Sequence, residues 1–301
     1  MIAALTVEPM IPRPLAKQYC VGDPMLSYRH GFHAGNFADV LKHIVLVELL
    51  EYMTLKDKPF EYIDTHAGAG MYRLDTPQAG KTAEYQDGIA QLSAEGFPQL
   101  QKYLSLVSRA NGGNNLNCYP GSPWLAQQYL REKDRAWLYE AHPADFAALQ
   151  QLMAADRHVR CDSGDGFNGL LAHLPPTAKR GLVLMDPPYE IKSDYQKVVE
   201  FLGKAHRKFA NGVYALWYPV VDRSRIETLE RQLSNSGIRS IQLFELAVRA
   251  DSPERGMTGS GMIVINPPWT LFPWMQQLLP ELLNTLGEPG GFYRCEQLVA
   301  E

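Results

Sequence analysis

Short apolar segments alternate with helical segments along most of this chain, and the alternation limits the folds available to it more than any other feature. The segments predicted as strands read "EYID", "RAWLYE", "HVRCDS", "GLVLMD" and "GVYALWYP". Amphipathic stretches such as "DYQKVVEFLGKAHRKF" lie between them. Strands that alternate with helices pair in parallel, and the helices then cover both faces of the sheet. The sequence therefore predicts a doubly wound α/β fold.

The last part of the chain departs from this alternation. The segments "SIQLFELAV" and "GMIVINPPW" both have strand character, but "RADSPERGMTGS" between them leaves no room for a crossover helix. Two strands joined by a short polar loop are antiparallel neighbours. A mainly parallel sheet closed by one reversed strand is characteristic of S-adenosylmethionine-dependent methyltransferases. We therefore predict a Rossmann-like fold of that class, with seven strands of which one is reversed.

The domain organisation follows from where the regular patterns begin and end. Residues 1 to 24 contain four prolines and no periodicity, which predicts an irregular N-terminal extension before a methyltransferase domain over residues 25 to 301. Asn36 is the predicted N-cap of a first helix. Residues 73 to 118 separate the first strand from a helix that we expect to begin with Ser122 as N-cap and Pro123 in first position. We interpret them as a small helical insertion, with helices at about 82 to 95 and 97 to 110.

Composition excludes several classes of protein. The 301 residues are 46% apolar and 21% charged, with a net charge of −4, as in an ordinary globular protein. The four cysteines are scattered without a CxxC pair, which argues against a zinc site or a disulfide framework. No apolar run is long enough to span a membrane. We expect a cytoplasmic protein, monomeric and without a metal.

A predicted donor-binding edge lies at the carboxyl ends of the first three strands, where open parallel sheets bind ligands. "DTHAGAG", with Gly68, follows the first strand and allows close approach of the backbone to a ligand. Glu140 ends the second predicted strand and is the candidate for gripping a ribose. Asp165 follows the third, where its carboxylate can accept a hydrogen bond from an adenine amine, although an Asp-Gly turn alone explains it as well.

The segment "GLVLMDPPYEIK" carries the most specific chemical signal. An exocyclic amine on adenine is a poor nucleophile, because its lone pair is delocalised into the ring. The Asp186 carboxylate and the Pro187 carbonyl can accept hydrogen bonds from that amine and direct its lone pair at a methyl donor. Tyr189 is predicted to stack on the base, which must leave its own stack to enter such a pocket.

A second turn in the same chain competes with this one. Asn266 ends "GMIVINPPW", and Asn-Pro-Pro followed by an aromatic residue is also found in amino-group methylation. We favour Asp186, because it ends the fourth parallel strand close to the donor loop. The reversed strand should carry Asn266 away from that loop.

From Met25 onward the chain resembles the RlmJ family of bacterial large-subunit ribosomal RNA adenine-N6 methyltransferases. The resemblance runs in order through "MLSYRHGFHAGNFADVLKH", "DTHAGAG", "YPGSP", "DGF", "DPPYE", "YALWYP" and "GMIVINPPW". It implies methylation of one adenine in 23S ribosomal RNA, with S-adenosylmethionine as donor and Asp186 holding the target amine. The resemblance further assigns His43, His66, Ser122, Glu140, Asp165 and Gly166 to the donor, with Lys42 close by. Together with Gly68 of the Gly-rich loop, these residues are the predicted donor-binding set. The resemblance also assigns Tyr28 to the substrate, and we expect Arg29 in the same basic segment to contact the RNA backbone.

Other functions remain open on the sequence. His30, His33 and His43 suggest a metal site, but no acidic residue lies at convincing spacing from them. A DNA adenine methyltransferase would use the same catalytic turn, and a protein glutamine methyltransferase would use Asn266. A non-catalytic protein that binds external DNA is the alternative from a different class.

Overall fold

The alternating segments form a doubly wound α/β fold in the computed structural model, which describes residues 30–76, 79, 82–113, 115–189, 193–252 and 256–301. The strands are β1 (Glu61–Asp64), β2 (Met71–Arg73), β3 (Cys118–Pro120), β4 (Arg135–Tyr139), β5 (Val159–Asp162), β6 (Gly181–Met185), β7 (Val213–Val220), β8 (Ile241–Ala247), β9 (Gly259–Ile265) and β10 (Phe292–Val299). The α-helices are α1 (Phe37–Thr54), α2 (Gln101–Ala110), α3 (Ser122–Gln127), α4 (Pro143–Met153), α5 (Gly166–His173), α6 (Ser193–Lys208), α7 (Arg223–Ser234) and α8 (Leu271–Leu286).

Eight of the strands form one sheet in the order β10-β8-β9-β7-β6-β1-β4-β5. Neighbours from β7 to β5 pair in parallel, whereas β9 is antiparallel to both β7 and β8. In this sheet β4 lies on one side of β1, and β6 lies on the other side of β1. The strand order therefore reverses between β1 and β6, which is where such folds bind ligands. This arrangement confirms the predicted fold class.

The sheet has one more strand than predicted. The additional strand β10 lies at the edge, antiparallel to β8, so the sheet contains a second reversed strand. Its residues Arg294 and Glu296 are charged, and Arg294 forms ion pairs with Glu230 and Glu296. Charged side chains are common on edge strands, where they discourage pairing with other chains, and they weaken the apolar pattern that identifies a strand in the sequence.

Helices cover both faces of the sheet. The long helix α1 packs on β6, β7 and β9, and it forms a large core cluster with α4 and α8. The helices α5, α6 and α7 contribute to a separate cluster on the other face. Asn36 is the N-cap of α1, because its side-chain oxygen accepts hydrogen bonds from the backbone of Ala38 and Asp39. The predicted helix start is therefore confirmed.

The segment between β1 and α3 is less helical than predicted. β2 and β3 pair as a small antiparallel sheet, and α2 lies between them in sequence. The region near residues 82 to 95 contains short 3₁₀ turns, Glu84–Gln86 and Ile89–Gln91, instead of an α-helix. The physical reason is tertiary contact: the backbone of Ile89 donates to Gly35, and a side chain on Gly88 would meet that same carbonyl at 2.2 Å.

Candidate functional site

The loops after β1 and β6 begin side by side at the point where the strand order reverses. Asp64, the last residue of β1, is in register with Leu184 of β6. The backbone of Thr65 donates to the Leu184 carbonyl at 3.1 Å. Asp186 follows two residues later. The predicted catalytic turn and the predicted donor loop therefore adjoin each other.

Asp186 is held by a residue from the first helix. Nζ of Lys42 in α1 lies 2.6 Å from Oδ2 of Asp186 and 2.9 Å from Oδ1 of Asp39. Asp39 in turn accepts hydrogen bonds from the ring of His30 at 2.8 Å and from the backbone of Gly35 at 3.0 Å. Asp39 and Lys42 are buried. A chain of alternating charge thus runs from Asp39 through Lys42 to the carboxylate of Asp186.

The charges in this chain support one another. Burial alone would lower the pKa of Lys42, but Asp186 and Asp39 outweigh it and raise that pKa well above its ordinary value. Burial likewise opposes ionisation of Asp39, yet His30 and Lys42 hold the Asp39 pKa well below its usual range. Lys42 therefore stays an ammonium group at neutral pH and fixes Oδ2 of Asp186. Oδ1 of Asp186 accepts no hydrogen bond from the residues that the structure describes.

Tyr189 ends the predicted catalytic turn, and its side chain points into the protein interior. Its backbone has a φ of 50°, an uncommon value outside glycine. Its hydroxyl donates to the carbonyl of Trp217 at 2.7 Å, and its ring lies 4.5 Å from that of Tyr195. Only 8% of the residue is exposed. Stacking of Tyr189 on a base therefore stays a prediction, and it requires the ring to turn out of this position.

The competing turn lies at the opposite end of the sheet. Because β9 is antiparallel to β7, Asn266 lies next to the start of β7, where Ile265 is in register with Tyr214. The side-chain amide of Asn266 donates to the carbonyls of Ala210 and Gly212, both at 2.7 Å. The Asn266 side chain is thus hydrogen-bonded to the loop before β7, far from Asp186.

Glu140 is bound to the donor loop. One carboxylate oxygen accepts from the backbone of Gly68 at 2.7 Å, and the other accepts from the backbone of His142 at 2.6 Å. Burial nevertheless raises the pKa of Glu140 from its ordinary value. Gly68 has a φ of +64°, and a side chain there would meet the Tyr72 hydroxyl at 2.1 Å. The two predicted donor-binding residues therefore lie in contact.

Asp165 and Gly166 lie beside the same loop. Asp165 is the N-cap of α5, where its carboxylate accepts from the backbone of Asn168 at 2.9 Å. Gly166 packs directly on the backbone after β1, because a side chain there would meet the Thr65 carbonyl at 1.9 Å. The cap and the predicted adenine-binding role use the same carboxylate, and an aspartate has acceptor capacity for both.

Ser122 has a different local role from the one predicted. The N-cap of α3 is Gly121, not Ser122, so the prediction was wrong by one residue. The Ser122 hydroxyl donates instead to Oδ2 of Asp64 at 2.7 Å, and the hydroxyl of Tyr62 donates to that oxygen at 2.8 Å. Burial raises the Asp64 pKa to about 6.

The two histidines assigned to the donor are neutral at physiological pH. Burial lowers the pKa of His43 to about 3 and that of His66 to about 4. Nδ1 of His66 lies 2.7 Å from the Thr65 hydroxyl, and its ring packs edge-on against Phe167. Nδ1 of His43 lies 2.7 Å from the Tyr119 hydroxyl, whereas its Nε2 is buried with no hydrogen-bond partner among the described residues.

These features fit S-adenosylmethionine. Gly166 lies too close to the Thr65 carbonyl for any side chain, and Gly68 has a positive φ, which favours glycine, beside the Tyr72 hydroxyl; both glycines shape a close-fitting loop. Nε2 of buried His43 needs a partner that the described part of the chain does not supply. Glu140, with both oxygens near the loop, suits a pair of ribose hydroxyls. The residues present therefore match the donor that the sequence predicts.

Some of the predicted site lies elsewhere. Tyr28 and Arg29 are outside the described residues. Nδ1 of His33 lies 2.9 Å from Glu84, so His30, His33 and His43 have three different partners. In the described part of the chain, no three His, Cys, Asp or Glu side chains come together as a group able to bind a metal. None of the helices described there combines the length and hydrophobicity that crossing a membrane requires.

Asp39 and Asp64 are residues of the candidate site that reading the sequence missed. Asp64 was visible only as a strand end, although an acid directly before a Gly-rich loop is a usable signal. Asp39 lies three residues before Lys42 in a helix, and that spacing brings two side chains onto one face. The sequence does not reveal that this face turns toward Asp186.

Comparisons with known proteins identify one family. The family model described as "Ribosomal RNA large subunit methyltransferase D, RlmJ" matches residues 57–299. Ribosomal RNA large subunit methyltransferase J of Haemophilus influenzae is 48% identical over 281 residues, covering 92% of this chain and all of the relative. The Escherichia coli protein of the same name is 50% identical over 268 residues, covering 88% of this chain and 96% of the relative. A crystal structure of a Legionella pneumophila protein is similar with a TM-score of 0.80 and 36% identity, covering 88% of this chain and 98% of that one.

Proposed function

The chain belongs to the RlmJ family of S-adenosylmethionine-dependent ribosomal RNA methyltransferases, and we propose that it methylates the N6 amine of one adenine in 23S ribosomal RNA. The observation that carries this proposal is the Asp186 carboxylate at the carboxyl end of β6, with Lys42 on one oxygen and no described residue donating to the other. A carboxylate fixed in this way is a hydrogen-bond acceptor for an amine. We propose that the protein acts as a monomer in the cytoplasm.

The chemistry assigned to Asp186 is orientation of the target amine. With Oδ2 bound to the Lys42 ammonium, Oδ1 accepts one N–H of the adenine amine, and the Pro187 carbonyl accepts the other. The two bonds turn the nitrogen lone pair away from the acceptors and out of conjugation with the ring. Both acceptors stand ready before the amine arrives, which lowers the entropic cost of alignment. When the nitrogen forms its new bond, the amine loses one proton. That proton passes to the Asp186 carboxylate.

The donor is held by the remaining site residues. S-adenosylmethionine supplies, when bound, an electrophilic methyl group on a sulfonium. Glu140 accepts hydrogen bonds from the ribose hydroxyls, and Asp165 accepts one from the adenine amine of the donor. His66, in the loop after β1, borders the donor site and packs against Phe167. Tyr28 and Arg29 are proposed to contact the RNA, and the segment 73 to 118 is proposed as a small inserted subdomain.

One experiment separates this function from its alternatives. Methyl transfer from labelled S-adenosylmethionine is measured on protein-free 23S ribosomal RNA, on genomic DNA and on a release-factor protein in parallel. We expect label only in the RNA, recovered as N6-methyladenine. Label in DNA alone would favour a DNA adenine methyltransferase, and label in protein glutamine would favour Asn266 as the catalytic residue. Absence of transfer and of donor binding would favour the DNA-binding alternative.

A further inference from the structure

Three buried polar groups form a hydrogen-bonded chain that ends at Nε2 of His43, for which no described residue is a hydrogen-bond partner. Nδ1 of His43 lies 2.7 Å from the hydroxyl of Tyr119, which lies 2.9 Å from the hydroxyl of Tyr103. The three residues are at most 2% exposed. They come from α1, β3 and α2, so the chain connects the inserted segment to the first helix.

The direction of the hydrogen bonds in this chain follows from counting protons. Burial keeps His43 neutral by lowering its pKa to about 3, so its ring carries a single N–H. If Nδ1 carried that proton, Tyr119 would donate to Tyr103, and the Tyr103 proton would have no acceptor among the described residues. If Nε2 carries it, Tyr103 donates to Tyr119 and Tyr119 donates to Nδ1, so both hydroxyls are satisfied. Leaving a buried hydroxyl without an acceptor is costly, and the second arrangement is therefore favoured.

The chain lies beside the loop after β1, because Tyr119 is in register with Tyr72 of β2, the strand that directly follows that loop. His43 directly follows Lys42, which reaches Asp186. Tyr119 stands three residues before Ser122, which donates to Asp64 at the end of β1. The proposed roles of Glu140 and Asp165 account for the ribose and adenine of the donor. The acceptor that remains for a neutral N–H is the carboxylate of its methionine part.

We propose that Tyr119 and Tyr103 are positioning residues that fix the Nε2–H tautomer of His43, which makes this nitrogen the hydrogen-bond donor to the methionine carboxylate of S-adenosylmethionine. The nitrogen that carries the proton in a histidine is set by the bond that the other nitrogen makes. Removing the Tyr119 hydroxyl would leave both tautomers accessible. In one of them, a lone pair on Nε2 would face the carboxylate and repel it. The inference rests on the proposed donor site and not on the identity of the RNA nucleotide.

Nitrogen NMR of the full-length protein labelled at histidine tests the tautomer without any ligand. The His43 signals are assigned by their loss in His43→Gln. We expect one protonated and one unprotonated ring nitrogen in the unsubstituted protein, and two intermediate signals in Tyr119→Phe. Unchanged His43 signals in Tyr119→Phe would overturn the proposal. If Tyr119→Phe fails to fold, Tyr103→Phe carries the test, with a smaller shift in the same direction.

Calorimetric titration tests the consequence for the donor. We expect Tyr119→Phe to weaken S-adenosylmethionine about tenfold and Tyr103→Phe about threefold. 5′-Methylthioadenosine, which has no carboxylate, should bind both variants as it binds the unsubstituted protein. Tyr214→Phe is the matched control, because its buried hydroxyl donates to the Ala205 and Phe209 carbonyls away from the site.

A double-variant cycle separates positioning from general packing. The amide of glutamine keeps an N–H near the place of Nε2, and it does not need Tyr119 to fix it. In a His43→Gln background, Tyr119→Phe should therefore change donor affinity less than twofold. Equal weakening of 5′-methylthioadenosine, or an undiminished effect in the glutamine background, would show that Tyr119 acts only through packing. No RNA enters these measurements, so failure of the proposed 23S activity would leave their outcome readable.

Discussion

Nζ of Lys42 lies 2.6 Å from Oδ2 of Asp186, although 144 positions separate the two residues in the sequence. The contact joins the first helix to the proposed catalytic turn after β6. We expect Lys42→Met to reduce methyl transfer about a hundredfold, since a carboxylate without its anchor loses the alignment on which transfer depends. The variant also leaves Asp39 and Asp186 without their shared cation, which should lower the free energy of unfolding by about 3 kcal/mol.

The control for this prediction is Lys102→Met. Lys102 pairs with Glu51 at 2.8 Å, but its side chain is 56% exposed. Exposed ion pairs contribute about 0 to 1 kcal/mol, so this variant should keep both stability and activity. Urea unfolding and initial rates on 23S RNA measure the two quantities. Equal behaviour of the two lysine variants would contradict a special role for Lys42.

Asp186→Ala and Asn266→Ala distinguish the two candidate turns. The aspartate variant should lose transfer while binding S-adenosylmethionine nearly as tightly, because Glu140 and Asp165, which are assigned to the ribose and the adenine of the donor, lie outside this turn. The asparagine variant loses two hydrogen bonds to the Ala210 and Gly212 carbonyls, which should cost about 2 kcal/mol of stability. Its transfer rate should stay near that of the unsubstituted protein at a temperature where it is folded. A dead Asn266→Ala beside an active Asp186→Ala would reverse the assignment.

Glu140→Gln should weaken donor binding. The backbone groups of Gly68 and His142 donate to its two oxygens, and an amide would turn an N–H toward one of them. Hydrogen bonds to charged groups are worth about 1.5 to 3 kcal/mol, which corresponds to a 10- to 100-fold loss of affinity. Calorimetric titration with S-adenosylmethionine measures this loss of affinity. Glu200→Gln on the exposed side of α6 is the control and should leave affinity unchanged.

The fold was largely predictable because its strongest determinants are local. Short apolar segments between amphipathic ones specify a parallel sheet, and Asn36 is a helix cap that depends only on its neighbours. The candidate catalytic turn could be selected for the same reason, since a strand that runs into Asp186 and two prolines is a continuous motif. The predicted 82 to 95 helix was wrong because a tertiary contact of Gly88 and Ile89 with Gly35 determines that segment.

The site's network was less predictable because its contacts connect distant parts of the sequence. The bonds from Lys42 to Asp186 and from Ser122 to Asp64 link residues that only the folded sheet brings together. Tyr189 illustrates the same limit. Its position after the prolines was evident, but the direction of its ring is set by Tyr195 and Trp217. Sequence motifs thus select candidate residues, while the partners that orient them require the fold.

Gly166→Ala should disrupt the donor site through a single methyl group. That methyl would meet the Thr65 carbonyl at 1.9 Å, so α5 has to move away from the loop after β1. We expect at least a tenfold loss of donor affinity and a lower melting temperature. Gly203→Ala is the matched control, because a methyl there meets nothing closer than Arg207 at 3.5 Å, and alanine in a helix gains about 1 kcal/mol over glycine. If both variants bind the donor normally, Gly166 is not part of the donor site.

Asp64 should make stability depend on pH in a defined direction. Burial raises its pKa to about 6 from an ordinary value of 3.8, so the folded protein binds its proton more tightly than the unfolded chain does. The contribution of Asp64 is therefore fully present below about pH 4 and is lost as the pH rises through about 6. His66 has the opposite slope, because burial lowers its pKa to about 4.

Comparison with Asp64→Asn isolates this effect, since His66 is present in both proteins. The free energy of unfolding is measured in urea at intervals from pH 4 to 7.5. The difference between the unsubstituted protein and the variant should shift by about 2 kcal/mol in favour of the variant over that range, as a pKa displacement of about two units requires. A difference that is flat with pH would mean that Asp64 is ionised as readily in the folded protein as in the unfolded chain. The hydrogen bonds from Tyr62 and Ser122 would then offset the whole cost of its burial.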